Sequence, residues 1–257
     1  MEQERIQTAE QWAVLTYGAA LLADTRHTAR AVQVAASMAR FPMESLPVQM
    51  RSQAGTKAAY RLLESPKVTY ERLIQPYVQH TRMQMQQQKR VLLIQDTTEV
   101  DYQHHPTTTG LGPIGQGDHQ GYLLQTVLAV SPTNRQVFGI AAQKPFLRQP
   151  APEGETMHQR ERRQQKESQV WQEQAQSIGM APANCEYIHV GDRGSDIFAF
   201  MEVCQALGCG FVLRVKHNRR IDLLVDQGDT PIPAAHQRRS KQRDAHLPPR
   251  STISLRK

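Results

Sequence analysis

The stretch Val91-Leu92-Leu93-Ile94-Gln95-Asp96 marks the point where the chain changes from helical to strand-like periodicity. Four consecutive apolar residues are too few for a helix and predict a short buried strand that ends at Asp96. Beyond it, the apolar runs stay short and are separated by turn residues. The elements predicted after this first strand are, in chain order, strands at 123–130 and 136–142, a helix at 160–177, a strand at 187–190, a helix at 195–207 and a strand at 211–215.

Upstream of this stretch the pattern is helical. Four helices are predicted from capping and breaking residues: one after a capping box at Thr8 and Gln11, one from Asp24 to near Arg40, one from Thr56 to Glu64, and one that begins near 69 or 76 and ends in the glutamine-rich segment 84–89. That polar segment is the predicted domain boundary. The sequence therefore predicts an α+β protein with a helical domain at 1–80, a mixed-sheet core at 88–217 and a basic segment at 218–257.

The second predicted helix has two different faces. An apolar stripe of small residues is predicted to pack inward, and cationic and short polar residues share the other side. The inward residues are Val32, Ala35, Ala36 and Ala39, and the outward residues are Arg26, Arg30, Gln33 and Ser37. The helix contains no acidic residue, whereas an ordinary solvated face usually mixes both signs of charge. This favours contact with a nucleic-acid phosphate backbone. Lys57 and Arg61 repeat the pattern one turn apart on the third helix.

The net charge of +7 is concentrated at one end of the chain. Residues 214–257 contain eleven Lys and Arg against four Asp, and the rest of the chain is balanced. Such a segment suits a polyanionic partner, with a solvated basic tail as the alternative. A brief alternation at 251–255 predicts a strand without room for a partner.

No apolar run approaches the roughly 18 residues of a membrane span, and the polar N-terminus is not a signal peptide, so we expect a cytoplasmic protein.

Two aspartates follow predicted strands. Asp96 comes after the first, and Asp192 after the fourth. The order of elements resembles the ribonuclease-H-like fold, in which the first and fourth strands are neighbours, so the two carboxylates are expected to face each other. Close carboxylates repel unless a hard cation lies between them. Paired carboxylates of this kind hold Mg²⁺ in enzymes that cleave nucleic acids. Either aspartate alone would more simply be a turn or N-cap residue.

Gly110, Gly112 and Gly115 have the spacing of a dinucleotide-binding fingerprint. That fingerprint must follow a strand and open a helix. Here Pro113 lies inside it, and the next predicted element is a strand. A loop over the candidate site is the favoured interpretation.

With these motifs in place, the chain resembles the DDE transposases of bacterial insertion sequences, in insertion-sequence family four and its transposon-five-like branch. The N-terminal match comprises Trp12-Ala13, the run Leu22-Ala23-Asp24-Thr25-Arg26-His27-Thr28-Ala29-Arg30, and Lys57-Ala58-Ala59-Tyr60-Arg61. The match in the core comprises Gln95-Asp96-Thr97-Thr98-Glu99, Lys166-Glu167-Ser168 with Trp171, and His189-Val190-Gly191-Asp192-Arg193-Gly194-Ser195-Asp196-Ile197.

The resemblance implies a helical domain that binds the terminal inverted repeats of a transposon, and a partial ribonuclease-H-like core that binds Mg²⁺, or Mn²⁺ as a substitute. It implies catalytic and metal-binding roles for Asp96 and Asp192. The DNA-binding residues it implies are Arg26, His27, Arg30, Lys57, Arg61, Arg214, Lys216 and His217. It also implies a nucleoid-associated protein that could act as a homodimer on DNA.

One part of the family pattern is missing. The family's third carboxylate is a glutamate on a helix beyond a β-rich insertion, but the last glutamate here is Glu202. We therefore expect a C-terminally truncated transposase whose residues 218–257 begin that insertion, and which does not cut DNA by itself. Two alternatives stay open. One is an inactive DNA-binding remnant or an inhibitor of an intact transposase. The other is a stand-alone nuclease with Asp101 or Asp196 as third ligand; Asp196 also suits the first turn of the helix at 195–207.

Overall fold

The computed structural model describes residues 8–115, 117–148, 154, 156, 167–216, 221–224 and 252–255. The described residues up to Arg214 form one compact unit, and the described residues from Val215 onward form a second. The first unit carries N-terminal helices followed by a mixed β-sheet with further helices. This arrangement confirms the predicted α+β class.

The N-terminal helices are α1 (Ala9–Tyr17), α2 (Thr25–Arg40), α3 (Leu46–Met50), α4 (Gln53–Leu63) and α5 (Tyr70–Met85). The predicted starts of α1 and α2 are confirmed. Thr8 and Gln11 form the capping box, and Asp24 accepts a hydrogen bond from the backbone N–H of Arg26 at 2.8 Å. These side chains satisfy N–H groups that a helix leaves unpaired in its first turn.

The start of α4 differs from the prediction, and α3 was not predicted. Ser52, rather than Thr56, is the N-cap of α4, and its hydroxyl accepts a hydrogen bond from Gly55 N at 3.0 Å. Thr56 instead donates its hydroxyl to the carbonyl of Ser52 at 2.9 Å. Both residues are good caps by type, and the two-residue turn between α3 and α4 decides between them.

The packing of α2 also differs from the prediction. It contacts α1 and α4, so it is covered on more than one face. Its buried residues are Ala31, Val34 and Ala36. The other members of the predicted stripe are half-buried or exposed: Val32, Ala35 and Ala39. A single inward-facing stripe therefore does not describe α2, because neighbouring helices cover more than one of its faces.

The sheet of the first unit contains β1 (Arg90–Asp101), β2 (Gly112–Pro113), β3 (Gln120–Val130), β4 (Val137–Phe146), β5 (Glu186–Gly191) and β6 (Gly210–Leu213). Its order is β2-β3-β1-β5-β6, with β4 also paired to β3. Strand β1 is antiparallel to β3 and parallel to β5, which is in turn parallel to β6. The predicted contact between the first and fourth long strands, β1 and β5, is confirmed.

Strand β1 is longer than predicted. It does not end at Asp96, because its antiparallel pairing with β3 continues to the pair Asp101 and Gly121. The parallel pairing with β5 stops earlier, at Gln95 and Gly191. Asp96 thus lies inside β1 but is the first residue beyond the parallel ladder.

Two helices, α6 (Gln169–Ile178) and α7 (Phe198–Ala206), cover one face of the sheet. Val91 and Leu93 of β1 form a core there with Trp171 of α6 and Phe200 of α7. The predicted start of the second helix, at 195, is wrong: residues Arg193–Ser195 form a 3₁₀ turn, and α7 begins at Phe198. Of the helix predicted at 160–177, residues 160–166 lie outside the described residues.

The second unit contains β7 (Ile221–Leu224) and β8 (Thr252–Leu255), which pair antiparallel. The strand predicted at 251–255 is therefore present. The expectation that it lacks a partner is wrong, because it pairs with β7. No strand was predicted at 221–224. No helix in the described part of the chain has the length and apolar character needed to cross a membrane.

Helix α5 joins the helical region to the sheet. Near its start, Leu73 packs on the helical core, and at its end Met85 is buried in the sheet core. Between them, the Arg82 guanidinium donates from Nε to the Ala141 carbonyl of β4 at 3.0 Å. The helix can approach β4 closely because residue 139 is a glycine. Its backbone has a φ of +142°, and a Cβ there would lie 3.0 Å from the Tyr77 hydroxyl and closer still to Thr81.

We expect Gly139→Ala to lower the free energy of unfolding by about 2–4 kcal/mol, since it combines a strained backbone with an overpacked contact. Urea unfolding measures this loss. Gly110→Ala is the matched control: its φ is +76°, but no atom lies within 4 Å of the added Cβ. The control should lose only about 1 kcal/mol. Equal losses in the two variants would contradict a close contact between α5 and β4.

Candidate functional site

The two candidate aspartates lie at the same edge of the sheet. The last register pair of the parallel ladder is Gln95 with Gly191. The residue that follows Gln95 is Asp96, and the residue that follows Gly191 is Asp192. Neighbouring strands are about 4.8 Å apart, so the backbones that carry these carboxylates are adjacent. The register of β1 with β5 therefore supports the expectation that Asp96 and Asp192 lie close together.

The hydrogen bonds of the two carboxylates leave oxygens available for a cation. Asp96 Oδ1 accepts from Thr97 N at 2.9 Å, and Asp192 Oδ1 accepts from Gly194 N at 2.7 Å. Both residues are exposed. Within the described residues, the Oδ2 atom of neither aspartate has a hydrogen-bond partner. Two hard oxygens on adjacent backbones fit the preference of Mg²⁺ for carboxylate and water ligands.

A tightly packed turn holds Asp192 in place. Asp192 caps the 3₁₀ turn, and the Ser195 hydroxyl donates to the Asp192 carbonyl at 2.6 Å. A Cβ at Gly191 would lie 2.7 Å from that of Ser195 and 3.1 Å from the Trp171 ring. At Gly194, a Cβ would lie 3.0 Å from Asp192 Oδ1. Both glycines are therefore needed for the turn to pack beneath the carboxylate.

Arg214 lies at the same edge as the two aspartates. It follows the pair of Gly191 with Leu213, and its backbone N–H donates to the Gly191 carbonyl at 3.0 Å. The residue is exposed. Lys216 is also exposed and belongs to the second unit, whereas His217 lies outside the described residues. Of the three residues in the predicted basic cluster, Arg214 therefore lies at the same sheet edge as Asp96 and Asp192.

Neither alternative third carboxylate joins the pair. No cluster of three or more His, Cys, Asp or Glu suited to a metal ion occurs in the described part of the chain. Asp101 lies five residues beyond Asp96 on β1 and pairs with His119 at 2.9 Å. Hydrogen bonds from Gln103 N and His119 lower the pKa of Asp101. Asp196 is buried and precedes the N-cap of α7, so its predicted place in the first helical turn is wrong.

Two residues of the glycine-rich segment, Gly112 and Pro113, join the sheet as β2. Gly112 lies in β2, and the next element is β3. Gly115 N donates to Glu99 Oε1 at 3.0 Å, which ties the segment to β1. Arg148 bridges Glu99 to Glu167 at distances of 3.4 and 2.9 Å. Because no helix follows, the segment lacks the structure of a dinucleotide site.

A buried polar ladder, which was not predicted from the sequence, lies behind the candidate aspartates. Gln125 Nε2 donates to Gln95 Oε1 at 3.3 Å, and Gln95 Nε2 is 2.9 Å from His189 Nδ1. The Thr97 hydroxyl donates to Gln125 Oε1. All but Thr97 are buried. A polar residue at each of three inward-facing strand positions was the available signal, since such positions are normally apolar.

The cationic face predicted on α2 is present but partly engaged. Arg26 is 89% exposed, and its guanidinium pairs with Asp24 at 2.9 Å. Hydrogen bonds from that guanidinium and from Arg26 N lower the pKa of Asp24 to about 2. Arg30 is half-buried. The ring of His27 donates from Nδ1 to the Leu22 carbonyl at 3.2 Å, so His27 also holds the loop before α2.

Helix α4 presents a second basic surface. Lys57 and Arg61 are exposed one turn apart, as predicted. Tyr60 lies between them in sequence and is also exposed. An exposed aromatic ring beside two cations is a residue combination common where proteins contact nucleic acids.

Residues 9–68 match the family model of the transposase DNA-binding domain. The transposase DNA-binding domain therefore spans α1 to α4 and ends at Val68 in the helical core. The match supports a transposase, with DNA as its partner. The candidate residues within this domain are Arg26, His27, Arg30, Lys57 and Arg61, whereas the aspartates and the basic residues from Arg214 onward lie outside the matched range.

The buried ladder gives the stability of the protein a specific pH dependence. Burial lowers the pKa of His189 from 6.5 to about 4. Between these values the unfolded chain binds a proton that the folded chain does not. The stability is therefore complete above about pH 6.5 and falls as the pH decreases towards 4, by about 3 kcal/mol in total. Urea unfolding between about pH 7 and pH 4 should show this slope, and it should be flatter in His189→Leu. An equal slope in that variant would show that His189 is not the titrating group.

Proposed function

We propose that this chain is part of a DDE-type transposase of insertion-sequence family four, which binds transposon-end DNA and holds Mg²⁺ at Asp96 and Asp192. The observation that carries this proposal is the match of residues 9–68 to the transposase DNA-binding domain. The parallel register that brings Asp96 and Asp192 to one sheet edge supports the catalytic part. The ribonuclease-H-like character of the core rests on its strand order and on the resemblance of the aspartate segments.

The DNA-binding surface is proposed to comprise the outward faces of α2 and α4. Helix α2 contains no acidic residue, so no carboxylate on the helix itself would repel a DNA phosphate that approaches Arg26. Arg26 must exchange Asp24 for a phosphate when DNA binds. Because the Arg26–Asp24 pair is exposed and therefore weak, this exchange costs little. The terminal inverted repeats are the proposed target, and binding as a homodimer is part of the proposal.

At the sheet edge, the residues of this chain have separable roles. Asp96 and Asp192 each use one carboxylate oxygen to hold a backbone N–H, which orients the other oxygen. Bound Mg²⁺ would supply Lewis-acid stabilisation of the charge that develops on a phosphodiester. Arg214 at the same edge offers a cation for the DNA backbone. A third carboxylate of the family pattern is not present in this sequence, so we propose that Asp96 and Asp192 supply two of the three.

An inactive DNA-binding protein, such as a remnant or an inhibitor of an intact transposase, remains the second candidate. It is favoured by the lack of a third converging acidic or histidine ligand in the described residues. Strand cleavage of transposon-end DNA by a chimera that adds the C-terminal region of a relative, lost on Asp96→Ala, distinguishes the first proposal from this one.

We expect the double variant Arg26→Ala and Arg30→Ala to bind duplex DNA of the flanking terminal repeats more weakly. Each lost phosphate contact should also lower the slope of log affinity against log salt by about one. Fluorescence anisotropy at several salt concentrations measures both effects. Arg90→Ala is the control, because Arg90 lies at the start of β1, outside the matched range 9–68, and pairs with Glu186. A double variant that binds like the parent at every salt concentration excludes this face as the contact surface.

We expect Asp96→Asn to raise the dissociation constant for Mn²⁺ by more than about tenfold, since loss of a ligand should exceed the loss of an outer-shell partner. Binding should be weak in the parent, because two carboxylates leave much of the coordination shell to water. Electron paramagnetic resonance of free Mn²⁺ measures the occupancy. Asp101→Asn, on the same strand but paired with His119, is the control. Equal occupancy in parent and Asp96→Asn would show that the two aspartates are not the metal site.

A further inference from the structure

The buried polar ladder crosses three strands directly behind the candidate metal site. It begins at Thr97 and continues to Gln125 of β3, returns to Gln95 of β1 and ends at His189 of β5. Gln95, Gln125 and His189 are 2%, 0% and 0% exposed. Two of the four residues, Gln95 and Thr97, flank Asp96 in the chain. The ladder therefore lies on the opposite face of β1 from the Asp96 side chain.

The hydrogen-bond donors of the ladder all point the same way. The Thr97 hydroxyl donates to the oxygen of Gln125, whose amide nitrogen donates to the oxygen of Gln95. The Gln95 amide nitrogen then donates to His189 Nδ1, so this atom must be the unprotonated acceptor and Nε2 must carry the ring proton. Nε2 is buried without a hydrogen-bond partner among the described residues. The ring is neutral in this arrangement and packs edge-to-face on Phe200.

An ordinary core would place apolar residues at these positions. Neighbouring inward positions do so: Leu93 on β1 and Val127 on β3 are fully buried. Three buried polar side chains carry a desolvation cost and leave one donor unsatisfied. Such a ladder contributes geometry that apolar packing does not, because each hydrogen bond fixes the relative position of two strands.

We propose that Thr97, Gln125, Gln95 and His189 are positioning residues that fix β1 against β5 and so set the spacing of Asp96 and Asp192 for one divalent cation. The inference rests on the proposed function, because it assumes that the two aspartates bind the cation. The parallel ladder ends at Gln95 and Gly191, so beyond that pair no backbone hydrogen bond between β1 and β5 holds the aspartates in register. The side-chain hydrogen bond between Gln95 and His189 lies at that end of the parallel pairing and joins the same two strands.

The test measures Mn²⁺ affinity and thermal stability together in variants of the full chain. Gln125→Met removes the middle of the ladder from β3, a strand that carries neither aspartate. Val127→Ala is the control for general destabilisation, since Val127 is buried on the same strand two positions away. Gln125→Met should raise the Mn²⁺ dissociation constant by about tenfold, as outer-shell changes typically do. Val127→Ala should lower the melting temperature but leave the dissociation constant within about twofold.

A second pair of variants covers the case in which Gln125→Met does not fold. Thr97→Val removes only the hydroxyl that starts the ladder, and Thr97→Ser keeps that hydroxyl. Thr97→Val should weaken Mn²⁺ binding, and Thr97→Ser should restore most of it. The backbone N–H of residue 97, which donates to Asp96, is unchanged in both.

The outcomes separate this inference from the proposed function. If the parent chain binds Mn²⁺ through Asp96 and the ladder variants bind it equally well, the positioning role is wrong and the metal site stands. If affinity falls in step with melting temperature in all variants, including Val127→Ala, the ladder is merely structural. A parent chain without Asp96-dependent Mn²⁺ binding overturns both.

Discussion

The parallel pairing of β1 with β5 is the constraint on which the candidate site depends. Its last pair, Gln95 with Gly191, determines that Asp96 and Asp192 follow at the same edge. The pairing also determines what surrounds them. Arg214 is brought to this edge because β6 continues the parallel set, and the turn after β5 must fold over Trp171. A one-residue shift of β1 against β5 would move one aspartate to the opposite face of the sheet, since strand side chains alternate.

The sequence predicted the order of the elements well because the buried strands and helices have different apolar periods. It predicted their ends less well, and the errors have physical causes. The second half of β1 is polar, and it remains a strand only because β3 supplies an antiparallel partner up to Gly121. Strand β7 was missed because four residues without strong alternation form a strand only through pairing with β8. Pairing of this kind is a property of two segments, whereas periodicity is a property of one.

The candidate site shows the same division between local and non-local information. Asp96 and Asp192 could be found because each follows an apolar run, and the basic residues of α4 could be found from helical spacing. The ladder could not be found in this way. Gln95, Gln125 and His189 each interrupt an apolar strand pattern, but the hydrogen bonds that join them form only when three strands lie side by side. On α2, the inward residues were misassigned because three neighbouring helices contact it, and a single-stripe pattern assumes one.

Helix α5 relates the DNA-binding helices to the carboxylate edge. Trp12 of α1 packs edge-on against Tyr77 of α5, and α5 in turn rests on β4 through the close contact at Gly139. These contacts are within one compact unit, and they include aromatic packing and a hydrogen bond from Arg82 to the sheet. A freely jointed linker would instead let bound DNA sample many positions relative to the sheet. Under the proposed function, DNA held on α2 and α4 therefore has a limited set of approaches to Asp96 and Asp192. Positioning of the substrate and positioning of the two aspartates would then rely on separate contacts, the first on α5 and the second on the register of β1 with β5.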